Sequence, residues 1–133
     1  MKFILDTNVY IEAASSELGW KRFEKHILPL LPFVYLSSVV VFELSLAKKK
    51  AEDEVFLNHH IAAVQEVGRL VTPSFEDWKS TASFISGNKL RSQLCDVLIG
   101  CSARQIGAYL FTFDFKDFLP LSKKLNFQIK RPW

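Results

Sequence analysis

Apolar residues recur along this chain in two rhythms. Short dense runs at residues 2–5, 33–36, 69–72, 108–113 and 127–129 are rich in Val, Ile, Leu, Phe and Tyr and predict strands. Between them the apolar positions space out and polar residues fill the gaps, which predicts helices. One begins at Val9, with Thr7 or Asn8 as its cap, and a second piece over 19–28 is stopped by Pro29 and Pro32. A third is capped by Ser37 and Ser38 and runs through Glu43 to Lys50. Residues 51–67 form a fourth, with Val55, Ile61, Ala62 and Val64 facing inward. Ser74 opens a fifth, with Asp77 completing a capping-box-like pair, and it ends near Gly87 and Asn88. The last spans 94–106, with Gly107 as its stop. Strands alternating with helices predict a parallel sheet covered on both faces.

Acids interrupt this pattern where charge is least welcome. Asp6 closes the run Phe3-Ile4-Leu5, Glu43 sits inside Val39-Val40-Val41-Phe42-Glu43-Leu44, Asp96 lies between Cys95 and Val97, and Asp114 stands between Phe113 and Phe115. An isolated ionised carboxylate in a core costs several kcal/mol or has its pKa pushed upward. Any one of these acids alone reads equally as a helix cap or half of an ion pair. Together they point to a shared site where a cation offsets their charge. Asp6 and Asp114 fall at the carboxyl ends of expected strands, where ligands collect in open α/β sheets. Glu43 lies about two turns into a helix and Asp96 early in another, so all four have access to one sheet edge. Oxygen donors without an adjacent histidine favour a hard cation, Mg²⁺ or Mn²⁺, over zinc.

Composition bounds the rest. The chain of 133 residues fits one domain, residues 1–133, and its 49% hydrophobic content with twelve Phe can fill a core without disulfides. Cys95 and Cys101 share one apolar segment at a spacing that does not suit a bridge, and read as core thiols of a reducing compartment. The opening apolar run is too short for a signal peptide and no run reaches a membrane span, so a cytoplasmic protein with no membrane association is expected. A net charge of +3 permits nucleic-acid binding without requiring it.

The sequence resembles the PIN-domain ribonucleases, in particular the VapC-like toxins of type II toxin–antitoxin modules. The resemblance rests on Phe3-Ile4-Leu5-Asp6-Thr7-Asn8-Val9, Ser37-Ser38-Val39-Val40-Val41-Phe42-Glu43-Leu44, Cys95-Asp96-Val97-Leu98-Ile99 and Phe111-Thr112-Phe113-Asp114-Phe115-Lys116-Asp117-Phe118, in that order along nearly the whole chain. It implies a three-layer α/β/α sandwich with a short, mainly parallel central sheet. It also implies an endoribonuclease dependent on Mg²⁺ or Mn²⁺, with Asp6, Glu43, Asp96 and Asp114 as catalytic and metal-holding residues. Asp117 is a further metal candidate, and Asn8 and Thr112 match supporting polar positions. Products with 5′-phosphate and 3′-hydroxyl ends, an RNA substrate, an antitoxin partner and a homodimer follow from the same likeness. One departure is Val40, where many relatives carry Thr or Ser one turn before the glutamate.

Two other classes compete. A phosphatase or phospho-accepting receiver also needs an aspartate after a strand, but the second aspartate a phosphatase wants is here Asn8. A non-catalytic PIN-like module would keep the fold and bind RNA or protein. Basic and aromatic residues outside the motifs have plain readings beside functional ones. Lys48-Lys49-Lys50 suits a helix C-terminus or an RNA backbone, and Lys89 and Arg91 suit a solvated loop or a phosphate guide. His59 and His60 point apart on a helix and read as structural or surface residues rather than paired ligands. Trp20, Trp78 and Trp133 are packing anchors or base-stacking platforms, and the tail Lys130-Arg131-Pro132-Trp133 either frays or binds RNA or a partner.

Overall fold

The computed structural model describes residues 1–47, 50–88 and 93–133. Five short strands, β1 (Phe3–Leu5), β2 (Val34–Ser37), β3 (Leu70–Val71), β4 (Tyr109–Phe111) and β5 (Gln128–Lys130), form one sheet in the order β3-β2-β1-β4-β5. Every pairing is parallel, with Phe3 opposite both Val34 and Tyr109, and Phe111 opposite both Leu5 and Lys130. Burial explains the composition of the central strands: Phe3, Ile4, Leu5, Val34, Leu36, Leu110 and Phe111 are all in the core, as expected for strands covered on both faces.

The helices are α1 (Thr7–Ser15), α2 (Glu17–His26), α3 (Ser38–Leu46), α4 (Ala51–Glu66), α5 (Phe75–Asn88), α6 (Leu94–Ile106) and α7 (Phe115–Leu125). The chain first builds outward from β1 through β2 to β3, then crosses to the other side of β1 for β4 and β5. Right-handed crossovers therefore put α1–α4 on one face and α5–α7 on the other, giving three layers. The reversal between β1 and β4 is a topological switch point, the place at the carboxyl ends of the strands where open α/β sheets bind ligands.

Several expectations shift. The cap of α1 is Asp6 rather than Thr7 or Asn8: its Oδ1 accepts from the Thr7 N–H at 2.8 Å. Pro29 and Pro32 do stop α2, but they lie in a 3₁₀ helix, Leu28–Phe33, that leads into β2. α3 stops at Leu46 instead of Lys50 because Ala47 turns extended, and Lys50 caps α4. Lys48, Lys49, Lys89 and Arg91 lie outside the described residues. In α4 the inward stripe is Leu57, Ile61 and Val64; Val55 and Ala62 point to solvent because they lie off this i, i+4, i+7 line. α6 runs over the expected residues and ends on Gly107, whose φ of 68° is the left-handed C-cap conformation. Ser74 and Asp77 exchange reciprocal bonds of 3.0 and 3.1 Å at the start of α5.

The helix absent from the sequence reading is α7. Its buried stripe, Phe118, Leu121, Ser122 and Leu125, has helical spacing, but Pro120 breaks the pattern on the outer face. Asp114 caps it and Asn126, at φ 59°, ends it. Burying Phe118 and Leu121 stabilises the fold by roughly 1.5–3 kcal/mol each, comparable to the ~3 kcal/mol an interior proline costs. Of the histidines, His60 is structural: its Nε2 lies 3.0 Å from the Tyr10 hydroxyl, tying α4 to α1.

Candidate active site

The site starts from the ends of β1 and β4. The ladder continues one residue past each strand, with the Asp6 N–H donating to the Phe111 carbonyl at 2.9 Å and the Thr112 N–H to the Lys130 carbonyl at 3.0 Å. Asp6 and Thr112 are thus held by sheet bonds, and both are buried. The Thr112 hydroxyl donates to Asp6 Oδ2 at 2.8 Å, and accepts from Asn8 Nδ2 at 3.2 Å and from the Asp114 N–H at 3.0 Å. One donor and two acceptor positions are all a hydroxyl has, so this one is fully committed. Asn8 bridges the same segment a second time, its Oδ1 accepting from the Phe113 N–H at 3.3 Å. Asp114 Oδ1 in turn accepts from the Asp117 N–H at 3.2 Å, which turns the chain into α7 and brings Asp117 alongside.

Glu43 and Asp96 arrive on helices. Ser37 caps α3 by accepting from the Val39 N–H at 3.2 Å, and Glu43 follows almost two turns later. Its Oε1 accepts from the Thr7 hydroxyl at 2.7 Å. Thr7 escaped the sequence reading as a site residue because the bond joins residues far apart in the chain. Val40 is fully buried and serves the core, and the hydroxyl that bonds Glu43 is that of Thr7. Asp96 lies in the first turn of α6.

The five acids share one electrostatic environment. Burial raises the pKa of Asp6 to about 6, against the lowering effect of its bonds to Thr112 and the Thr7 N–H, and the charges of Glu43 and Asp114 push the same way as burial. Burial also raises Asp96, to about 7, with Asp6, Glu43, Asp114 and Asp117 all adding repulsion. The neighbouring Cys95 thiol is raised by burial and by Glu43 and Asp96. Asp96 therefore lies within electrostatic reach of Asp6, Glu43, Asp114 and Asp117, and Asp6 within reach of Glu43 and Asp114. Among the described residues the ion pair is Lys21 with Glu17 on the outside of α2, and no described lysine or arginine is paired with the acids.

The group is not a closed cage. Among the described residues no three carboxylates, histidines or cysteines stand at ligating distance from a common point. The donor set still suits a hard divalent ion: it is all oxygen, it is crowded with negative charge, and its openness matches an ion that keeps several waters and takes one or two carboxylates directly. Asn8, in the position where a phosphatase carries its second acid, has both ends of its amide engaged with Thr112 and Phe113.

The PIN domain family model matches residues 3–121, and the chain belongs to that family. No curated protein sequence matches it. Among solved structures, VapBC2 of Rickettsia felis, bound to a DNA fragment from its promoter, is 21% identical with a TM-score of 0.68, covering 100% of this chain and 99% of that one. FitAcB of Neisseria gonorrhoeae is likewise 21% identical, with a TM-score of 0.66 and 98% of each chain covered. DNA-bound VapBC of Salmonella typhimurium has a TM-score of 0.62 at 21% identity, covering 100% and 99%. These likenesses show that the fold is shared along the full length. No helix among the described residues is long and apolar enough to cross a membrane.

Proposed function

We propose that this protein is an endoribonuclease dependent on Mg²⁺ or Mn²⁺ and acts as the toxin of a toxin–antitoxin pair in the cytoplasm. The observation that carries this reading is the mutual repulsion of Asp96 with Asp6, Glu43, Asp114 and Asp117 at the switch point of a PIN domain. Asp6, Glu43, Asp96 and Asp114 would hold the cation, with Asp117 as a further ligand and Asn8 and Thr112 fixing the carboxylates of the strand ends. When bound, the cation polarises the phosphodiester and lowers the pKa of a nearby water.

The chain's own residues supply position and proton traffic. Asp6 is fixed through both oxygens, by Thr112 and the Thr7 N–H. Thr7 holds Glu43 towards the same switch point. Without the cation Asp96 is raised to about 7 by burial and by its acidic neighbours, so a cation that favours its ionised form would displace a proton from it. In the overall reaction water oxygen bonds to phosphorus as the P–O3′ bond breaks; the water loses a proton and O3′ gains one. The products carry 5′-phosphate and 3′-hydroxyl ends.

The partner part of the reading rests on the VapBC and FitAB complexes among the fold neighbours. An apolar groove of about 630 Å³ between α1, α2 and α4, lined by Tyr10, Trp20, Leu44, Phe56 and Leu57 among others, supports it, since none of the five acids lines it and it offers a partner apolar surface. A homodimer is expected on the same family grounds. The test is a divalent-metal titration with RNA and mapping of the product ends. Metal-dependent cleavage with 5′-phosphate ends supports the proposal. Binding of RNA without cleavage under any divalent metal would leave a non-catalytic module, and an acyl phosphate trapped on Asp6 from acetyl phosphate would favour the phospho-acceptor class.

A further inference from the structure

The four residues Lys130-Arg131-Pro132-Trp133 do not fray. The Lys130 carbonyl accepts from the Thr112 N–H, so the tail is bonded to the residue whose hydroxyl organises the acids. Pro132 is buried, and the Trp133 ring packs edge-on against Phe113 at 5.0 Å between centroids. Between these two anchors Arg131 is exposed, with its guanidinium 5.0 Å from the centre of the Phe115 ring. Phe113 and Phe115 are the residues on either side of Asp114. The tail therefore rests on both aromatic neighbours of one site acid, at the carboxyl edge of the sheet.

Arg131 is a cation over the ring of the residue that follows Asp114, and it is in no ion pair among the described residues. Its guanidinium centre lies over the Phe115 ring, a contact that spares its N–H donors for another partner. A crevice lined with carboxylates repels a polyanion, so an RNA strand needs fixed positive charge on the rim to approach it. We infer that Arg131 is a substrate-positioning residue that contacts an RNA backbone phosphate next to the scissile bond, on a rim built by the tail and the Phe113–Phe115 segment. This inference rests on the ribonuclease reading above. A guanidinium outside any ion pair suits a phosphate oxygen pair, which accepts two parallel N–H bonds.

The experiment measures binding and turnover separately. Binding is followed by anisotropy of a fluorescein-labelled, mixed-sequence single-stranded RNA on Asp96→Asn protein, with and without Arg131→Ala, Arg131→Lys or Arg131→Glu, across a salt series. Removing one phosphate contact should weaken binding about fivefold and flatten the slope of log K against log salt by about 0.7. Arg131→Lys should keep most of the slope, and Arg131→Glu should bind more weakly than Arg131→Ala. In the cleaving protein Arg131→Ala should raise KM with kcat nearly unchanged. Unchanged affinity and salt slope in Arg131→Ala and Arg131→Glu, or a fall in thermal stability as the sole effect, overturns the inference while cleavage by the parent leaves the nuclease reading standing. Failure of the parent to cleave RNA overturns that reading instead, and the salt slope still decides whether Arg131 touches phosphate.

Discussion

The two halves of the acid group are built differently. On the strand side Asp6, Asn8, Thr112, Asp114 and Asp117 are linked by consecutive hydrogen bonds to one another and to the ends of β1 and β4. On the helix side Glu43 depends on the hydroxyl of Thr7, and Asp96 is placed by the backbone of α6. In the strand half Asp6 is fixed through both oxygens and Asp114 through one. The helix half approaches it across the switch point and can adjust to whatever fills the gap. A site with one fixed wall and one adaptable wall tolerates an open geometry and still presents its charge in a defined direction.

The largest effects should come from removing charge on either wall. Asp6→Asn and Asp96→Asn are each expected to lower RNA cleavage at least about a hundredfold. Asparagine caps a helix about as well as aspartate, so α1 should survive in Asp6→Asn. Thermal melts without metal should show Asp96→Asn at least as stable as the parent near pH 7, because it relieves like-charge repulsion, while Asp6→Asn gives up one of the two bonds its carboxylate accepts and should lose about 1–3 kcal/mol. A large loss of stability in Asp96→Asn would assign that acid a structural role.

The strand wall should be the more sensitive to loss of a neutral side chain. Thr112→Val leaves Asp6, Asn8 and the Asp114 N–H without their shared partner. Buried groups stripped of a hydrogen bond cost about 1–3 kcal/mol, which denaturant unfolding can read, and cleavage should fall with it. Thr7→Val frees Glu43 on the helix wall. It should cost under about 1 kcal/mol in stability, since Thr7 is only half-buried, but about tenfold in apparent affinity for Mn²⁺. Equal effects of the two substitutions on stability would erase the distinction between the walls.

A smaller effect follows from titration. Asp6 and Asp96 have folded pKa values raised to about 6 and about 7, above the ordinary carboxyl value of 3.8. Between pH 4 and 7 the folded state binds more protons than the unfolded one, so metal-free stability should decline as pH rises through this window. Saturating Mn²⁺ should reduce the decline by favouring the ionised acids. Melts recorded from pH 4 to 8 with chelator and with Mn²⁺ check both slopes.

What was legible in the sequence follows from contrast with immediate neighbours. Asp6, Glu43, Asp96 and Asp114 stand out because charge inside an apolar run is conspicuous over a few residues. α6 is bounded by a helical pattern and by Gly107, both local signals. The features that were not legible depend on distant partners or on competing signals. Thr7 gives no hint of its bond to Glu43 until the fold joins α1 and α3. Asp6 serves as helix cap and buried site acid at once, so its flanking residues looked the better caps. In α7, Pro120 obscures a stripe whose burial outweighs the missing backbone bond. The tail looked free because its anchors, Thr112, Phe113 and Phe115, come together with it only in the sheet.

Calorimetric titration of Mn²⁺ into the parent and into Asp96→Asn, at pH 5.5 and pH 7.5 in buffers of different ionisation enthalpy, tests the shared-site claim most directly. Saturable binding at pH 7.5, accompanied by proton release at pH 5.5 and strongly weakened in Asp96→Asn, is the expected result. No saturable binding to the parent, or identical binding to both proteins, would contradict it.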